Sequence, residues 1–216
     1  GTYYTPEYIA RFFAKYLLKV IPINSFNELK ICEPAVGSGM FLRTLLEVVY
    51  ENVYPEYKKI DNQIFNNLVG VDIDPNACLA TKLSLSLLHL IVYDKIPKNL
   101  NIYNQESITY LSKEYRNHFD IVISNPPFVR YENIQNDVIK DFLGKLASGK
   151  VDSYLAFLKL SIDILKPKGY GLFVLPHSFL VNNSASRIRK FLYDNSYITL
   201  IADLSAIQVF EDISTY

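Results

Sequence analysis

Along the chain from residue 29, short runs of β-branched and other apolar residues alternate with longer stretches whose apolar positions recur every three or four residues. That alternation predicts a mainly parallel sheet with helices on both faces, a doubly wound three-layer α/β sandwich. Strands are expected at residues 29–33, 68–72, 100–103, 119–124, 169–175 and 197–203, each bounded by Gly, Pro, Asn or Asp. Helices are expected at 39–54, opening from a glycine turn, at 75–93, with proline in its first position, and at 153–165 and 182–195. Ahead of the sheet, residues 6–19 read as a helix capped by Thr5. The segment 58–67 reads as a polar connection. The segment 129–150 is a charged, glycine-containing excursion after the fourth strand, and of the two it is the one expected to serve function. No internal repeat or low-complexity linker is found. Residues 1–216 are therefore expected to form a single domain, with a helical motif at 1–28 and a sheet core at 29–216.

Charge narrows the choice of partners. Lys plus Arg and Asp plus Glu are equal at 22 each, so no global positive field attracts a polyanion, and nucleic-acid contact must come from local patches or from elsewhere. Cys32 and Cys78 lie in apolar sequence with no CxxC and no neighbouring His cluster, and read as buried free thiols of a reducing cytoplasm. No apolar run is read as reaching the roughly 18 residues that span a bilayer. The N-terminus also lacks the basic-then-apolar layout of a signal peptide. The expectation is a soluble cytoplasmic protein without a membrane partner. The chain opens on Gly1 rather than Met, and is expected to be a fragment of something longer or to have lost a tag.

Glu33-Pro34-Ala35-Val36-Gly37-Ser38-Gly39-Met40-Phe41 places two glycines in the turn between the first strand and its helix, where backbone can approach a ligand without Cβ clashes. Such turns also occur as tight packing with no ligand. Glu33, an acid beside the turn, suits the ammonium of an amino-acid ligand and repels a pyrophosphate, which favours a sulfonium amino-acid nucleoside over NAD. Asp72, at the tip of the second strand, is placed to accept hydrogen bonds from ribose hydroxyls, whereas Asp74 reads as the cap of the helix beginning at Pro75. Glu106, in Asn104-Gln105-Glu106-Ser107, either accepts from an exocyclic amine of a bound adenine or is a solvated loop residue.

The fourth expected strand, with its apolar centre, delivers Asn125-Pro126-Pro127-Phe128 to the carboxyl edge of the sheet, where α/β ligands bind. The amino nitrogen of a nucleobase is a poor nucleophile because its lone pair is delocalised into the ring. A catalyst must therefore accept its hydrogens as it becomes tetrahedral. The Asn125 side-chain oxygen and the Pro126 carbonyl supply two acceptors, and the paired prolines stiffen the turn and remove competing N–H groups. Phe128 offers a flat apolar face on which an extruded base can stack. The alternative is an ordinary strand-ending turn, since Asn and Pro favour turns for local reasons.

Taken in order, these residues resemble the γ-type DNA adenine-N6 methyltransferases of restriction-modification systems, in which a methionine-binding N-terminal motif precedes the glycine turn and target recognition comes last. Thr2-Tyr3-Tyr4-Thr5-Pro6 is similar to the family's N-terminal motif. Residues 33–41, 70–75, 104–108 and 125–128 resemble the four motifs that follow. Asp152-Ser153-Tyr154 and residues 165–171 are similar to later features. Val209-Phe210-Glu211-Asp212-Ile213-Ser214 resembles the late motif whose aromatic residue stacks on the flipped base. The resemblance implies the class I S-adenosylmethionine-dependent methyltransferase fold with its last strand truncated, S-adenosyl-L-methionine as cofactor, and no metal. It implies cofactor contacts at Thr5, Glu33, Ala35, Gly37, Gly39, Asp72, Ile73, Glu106, Ser107 and Asn125, catalysis by Asn125, Pro126, Pro127 and Phe128, and substrate binding by Phe128 and Phe210. The implied partner is double-stranded DNA, reached through a target-recognition region outside this chain, with a restriction or specificity subunit as a further partner. Two residues depart from the pattern: Phe128 stands where many relatives have Tyr, and Glu106 where Asp is more usual.

His89, His118 and His177 are scattered without a second ligand at metal-binding spacing. Arg187, Arg189 and Lys190 read as a solvated helix face or as phosphate contacts. Rival readings are methylation of a glutamine amide or of adenine in RNA, a catalytically silent binding subunit, and, further off, a dinucleotide oxidoreductase.

Overall fold

The computed structural model describes residues 5–56, 60–129, 137–147 and 151–204. Five strands, β1 (Ile31–Glu33), β2 (Leu68–Asp72), β3 (Asn101–Asn104), β4 (Phe119–Ser124) and β5 (Leu165–Phe173), form one parallel sheet in the order β3-β2-β1-β4-β5. β1 is central and all three of its residues are buried, because sheet neighbours flank it and helices cover both faces.

Helices α1 (Glu7–Val20), α2 (Met40–Val53) and α3 (Pro75–Tyr93) cover one face, where Leu17, Phe41, Leu45 and Leu85 share a core with Ile31, Leu68, Ile102 and Ile121. Helices α4 (Ser107–Glu114), α6 (Ser153–Ile164) and α8 (Ser186–Asn195) cover the other, where Leu111, Tyr154, Leu158 and Ile188 meet Cys32, Val69, Val71 and Val122. Successive strand residues thus feed opposite layers, as pleating requires. Two shorter helices, α5 (Asp137–Leu143) and α7 (Ser178–Val181), lie in the connections around β4 and β5. Arg11 of α1 grips both carboxylate oxygens of Glu51 on α2, at 3.0 and 2.8 Å, and so fixes the helix whose start carries Thr5.

Several expectations change. The segment 197–203 is not a strand. Its residues are exposed and join no strand of the sheet, and the Thr199 hydroxyl contacts that of Tyr16 at 2.8 Å. β-branching is not enough where no ladder partner is present. β5 begins at Leu165, four residues earlier than expected, and its pairing with β4 passes through an irregularity between Phe119 and Ile121. Thr5 does not cap α1, whose cap position is Pro6. A helix, α4, stands where only a loop after the third strand was read, and the excursion after β4 contains α5. The 19-residue α3 is long and apolar enough to cross a membrane by length and composition, contrary to the reading of the apolar runs. Here its inner face, with Thr81 and Leu85 fully buried, packs on β2 and β3.

Candidate active site

The chain leaves β1 towards β2 and β3 on one side and returns to β4 on the other, so the strand order reverses between β1 and β4. At such a reversal the two carboxyl-end loops diverge and leave a crevice for ligands. The loop after β1 is the glycine turn, and the loop after β4 is Asn125–Phe128.

In the glycine turn both Gly37 (φ 51°) and Gly39 (φ 76°) occupy the left-handed region. A Cβ on Gly39 would also stand 2.8 Å from Thr81 Cγ2, so sterics and backbone conformation both demand glycine there. Thr81 Oγ1 donates to the Gly37 carbonyl at 2.9 Å, and the Gly37 N–H donates to Asp72 Oδ2 at 2.9 Å. The other Asp72 oxygen accepts from Asp74 N–H at 3.0 Å. Asp72 is thereby oriented against the turn, with lone pairs left for further donors. Asn104 Nδ2 reaches the carbonyls of Asp72 and Ile73 at 3.1 and 2.8 Å and braces the loop from β3. Ala35 is partly buried in the second core layer, whereas Ile73 is 73 % exposed beside Asp72.

Glu33 is only 3 % exposed, and its Oε2 has no hydrogen-bond partner among the described residues. Burial pushes its carboxyl well above the usual carboxylate range. The Leu42 backbone N–H pulls the other way, and the nearby Asp72 charge adds to the upward shift. Ser124 Oγ and Asn125 Oδ1 are likewise buried without partners among the described residues. Three unpaired polar atoms at the ends of adjoining strands, of which Asn125 Oδ1 can only accept, are of the sort that protein interiors avoid unless a ligand completes them.

Asn125 Nδ2 donates to Thr5 Oγ1 at 3.2 Å, which leaves Oδ1 as the free end of the amide. Among the described residues no donor reaches the Pro126 carbonyl, while the Pro127 carbonyl is taken by the Ser153 hydroxyl. Phe128 packs edge-on to Tyr154, with centroids 6.3 Å apart, and Tyr154 packs likewise on Phe179.

Thr5, Glu33, Ala35, Gly37, Gly39, Asp72, Ile73 and the Asn125–Phe128 loop thus belong to the carboxyl edge of the sheet. Glu106 and Ser107 join them after β3, with an added role: the Glu106 oxygens accept from Ile108 N–H and Thr109 N–H at 3.0 and 2.8 Å and cap α4, whose first residue is the buried Ser107. Phe210 and Thr2-Tyr3-Tyr4 lie outside the described residues. The Arg187 and Arg189 guanidiniums are engaged by backbone carbonyls of Lys145 and Ala147, and of Phe179 and Asn182, so neither forms a simple solvated face. Sequence reasoning missed Ser153 as a partner of the loop. Its only signal was the Asp-Ser pair ahead of an apolar helix.

A parallel sheet of this order, with a glycine turn after β1 and a carboxylate at the tip of β2, is common to the dinucleotide-binding and methyltransferase α/β folds, and the likeness to solved methyltransferases makes it the class I S-adenosylmethionine-dependent methyltransferase fold. Within it, the chain belongs to the Eco57I restriction-modification methylase family, whose model matches residues 66–210. It is 32 % identical over 103 residues to the type II restriction enzyme and methyltransferase RM.Eco57I of Escherichia coli, covering 45 % of this chain and 10 % of that protein. It is 28 % identical over 225 residues to the type II methyltransferase M.BanIII of Aneurinibacillus aneurinilyticus, covering 97 % and 36 %. The chain thus spans about a third of the length of such relatives or less, 10 % of the first and 36 % of the second. Among solved structures, the type ISP restriction-modification enzyme LlaGI in complex with a DNA substrate mimic superposes with a TM-score of 0.73 at 17 % identity, over 90 % of this chain and 20 % of that one. A class I S-adenosylmethionine-dependent methyltransferase from Listeria monocytogenes gives 0.63 at 22 % identity, over 88 % and 51 %.

S-adenosyl-L-methionine is the cofactor this fold and family imply. The residues present fit it: an unpaired buried carboxylate oxygen on Glu33 for an ammonium, a glycine cradle, and the oriented Asp72 for hydroxyls.

Proposed function

We propose that this chain is the catalytic part of a restriction-modification DNA methyltransferase that methylates the N6 amino group of adenine. The observation that carries the reading is the buried Asn125 Oδ1, an acceptor with no partner among the described residues, on an amide whose other end is held by Thr5. When bound, S-adenosyl-L-methionine supplies an electrophilic methyl group on a sulfonium. Glu33 would hold its ammonium, the Gly37–Gly39 turn its amino-acid end, Asp72 its ribose, and Ile73, Glu106 and Ser107 its adenine. Asn125 Oδ1 and the Pro126 carbonyl would accept the two hydrogens of the target amine. That would draw the nitrogen towards tetrahedral and localise its lone pair facing the methyl; as the N–C bond forms the sulfonium would leave as a neutral thioether, and the surplus proton would pass along the hydrogen bonds to solvent. The target base would be flipped from the duplex and stacked on Phe128, with Phe210 assigned to the same task. Pro127 keeps the turn rigid. Target recognition, and any restriction or specificity subunit, would act from outside this chain. The restriction-modification family and the neighbour solved with a DNA substrate mimic support a DNA substrate, and the motif order favours adenine over a protein amide.

The test uses the full-length protein, tritiated S-adenosylmethionine and unmethylated bacteriophage λ DNA, with nucleoside analysis of the product. Label in N6-methyladenine, abolished in Asn125→Ala while cofactor binding persists, is the expected result. Full activity of Asn125→Ala, or label in N4-methylcytosine, would overturn the assignment.

A further inference from the structure

Ser153 is the first residue of α6, and Asp152, at the cap position, makes no side-chain capping bond. A serine at a helix start ordinarily serves its own helix. The Ser153 hydroxyl instead points at the loop after β4. Pro127 O can only accept and Val129 N–H can only donate, so the hydroxyl donates to the first and accepts from the second, the latter at 3.0 Å. The Ser153 backbone N–H then donates to the Val129 carbonyl at 3.1 Å. Three bonds from one residue, itself 3 % exposed, clamp the segment immediately after Pro126.

The clamp bears on which acceptor the loop presents. Two successive proline carbonyls, both free, would offer an incoming amine two registers about one residue apart. Ser153 occupies that of Pro127, which leaves Pro126 beside Asn125 Oδ1. It also fixes the peptide on either side of Phe128 and hence where that ring stands. We infer that Ser153 is a positioning residue for methyl transfer, selecting the Pro126 carbonyl by occupying its neighbour. The inference rests on the reading of Asn125–Phe128 as the transfer loop.

The experiment compares parent, Ser153→Ala, Ser153→Thr and Asn125→Ala in the full-length protein with λ DNA, measuring kcat, S-adenosylmethionine Kd by calorimetry, and Tm. Loosening a reacting geometry lowers turnover by about 10- to 100-fold, so Ser153→Ala should show that loss with cofactor Kd within about twofold of the parent, and Thr, which keeps the hydroxyl, should recover most of it. Turnover of Ser153→Ala within about threefold of the parent, a matching loss of cofactor affinity, or failure of Thr to recover activity would overturn the inference. If the alanine variant does not fold, Ser153→Cys takes its place, filling the same volume with a weak donor, and is held to the same outcomes. Asn125→Ala is read separately: its activity bears on the transfer assignment, and an inactive Asn125→Ala beside a fully active Ser153→Ala removes the clamp alone.

Discussion

Replacing Glu33 with Gln should move apo stability and cofactor affinity in opposite directions. The carboxylate is buried with Oε2 unpaired, and burial is the largest cause of its raised pKa. A group whose folded pKa lies above its unfolded value stabilises the fold at low pH, and loses that contribution as pH rises from the ordinary carboxylate range through the folded pKa. The parent therefore forfeits stability from this residue on going from acid to alkaline solution, and Glu33→Gln does not. An unpaired buried polar group costs about 1–3 kcal/mol, more when charged, so the variant should exceed the parent by about 1–2 kcal/mol at alkaline pH and match it in acid. For a chain of this size that is roughly 2–8 °C in Tm, readable by scanning fluorimetry across pH. Cofactor binding should respond the other way. A charge-assisted bond to an ammonium is worth about 1.5–3 kcal/mol, and its loss should weaken S-adenosylmethionine by about 10- to 150-fold. Below the folded pKa of Glu33 the parent, but not the variant, should also release a proton on binding, visible by calorimetry in buffers of different ionisation enthalpy. A Tm difference that is flat with pH, or an unchanged Kd, would refute the reasoning.

Two further substitutions probe the framework. Thr5→Val removes the acceptor that holds Asn125 Nδ2 at 3.2 Å while keeping the side-chain shape. Single-turnover methyl transfer should slow by about fivefold, with Thr5→Ser close to the parent, since one neutral hydrogen bond is worth about 1 kcal/mol. Gly39→Ala places a Cβ at φ 76° and 2.8 Å from Thr81 Cγ2. The left-handed conformation alone costs about 1–2 kcal/mol, so Tm should drop by several degrees and cofactor affinity should fall with it.

The sequence was most legible where local pattern and tertiary context agree. β2 and β4 run over the residues expected because their apolar stretches are closed by Asp72 and Asn125 and buried on both faces. α3 begins at Pro75 behind the Asp74 cap, as read. The residues at 197–203 carry the same β-branched signature, yet whether they form a strand depends on a ladder partner rather than on their own side chains. α4 escaped notice because it is short, and because its decisive cap, Glu106, looked like a ligand contact. In the site, Glu33, Asp72 and Asn125 could be found because each follows directly from its strand. The Ser153 clamp joins residues 24 to 26 positions apart, and Thr5 meets Asn125 across 120. Only folding creates those pairs.

The reversal of strand order between β1 and β4 also divides labour along the chain. Apart from Asn125, every residue assigned to the cofactor precedes β4, and the residues assigned to the target base follow it. A seam between the two tasks, where a different target-facing half would be joined, therefore lies at Ser124, crossed by the pairing of β4 with β5 and by the core that α6 and α8 share with Cys32, Val69 and Val71. The contacts that cross this seam set the terms of exchange. An incoming half must bring Asn125 to meet Thr5 and a strand to pair with β4, and it carries its own Ser153 clamp on Pro127 and Val129.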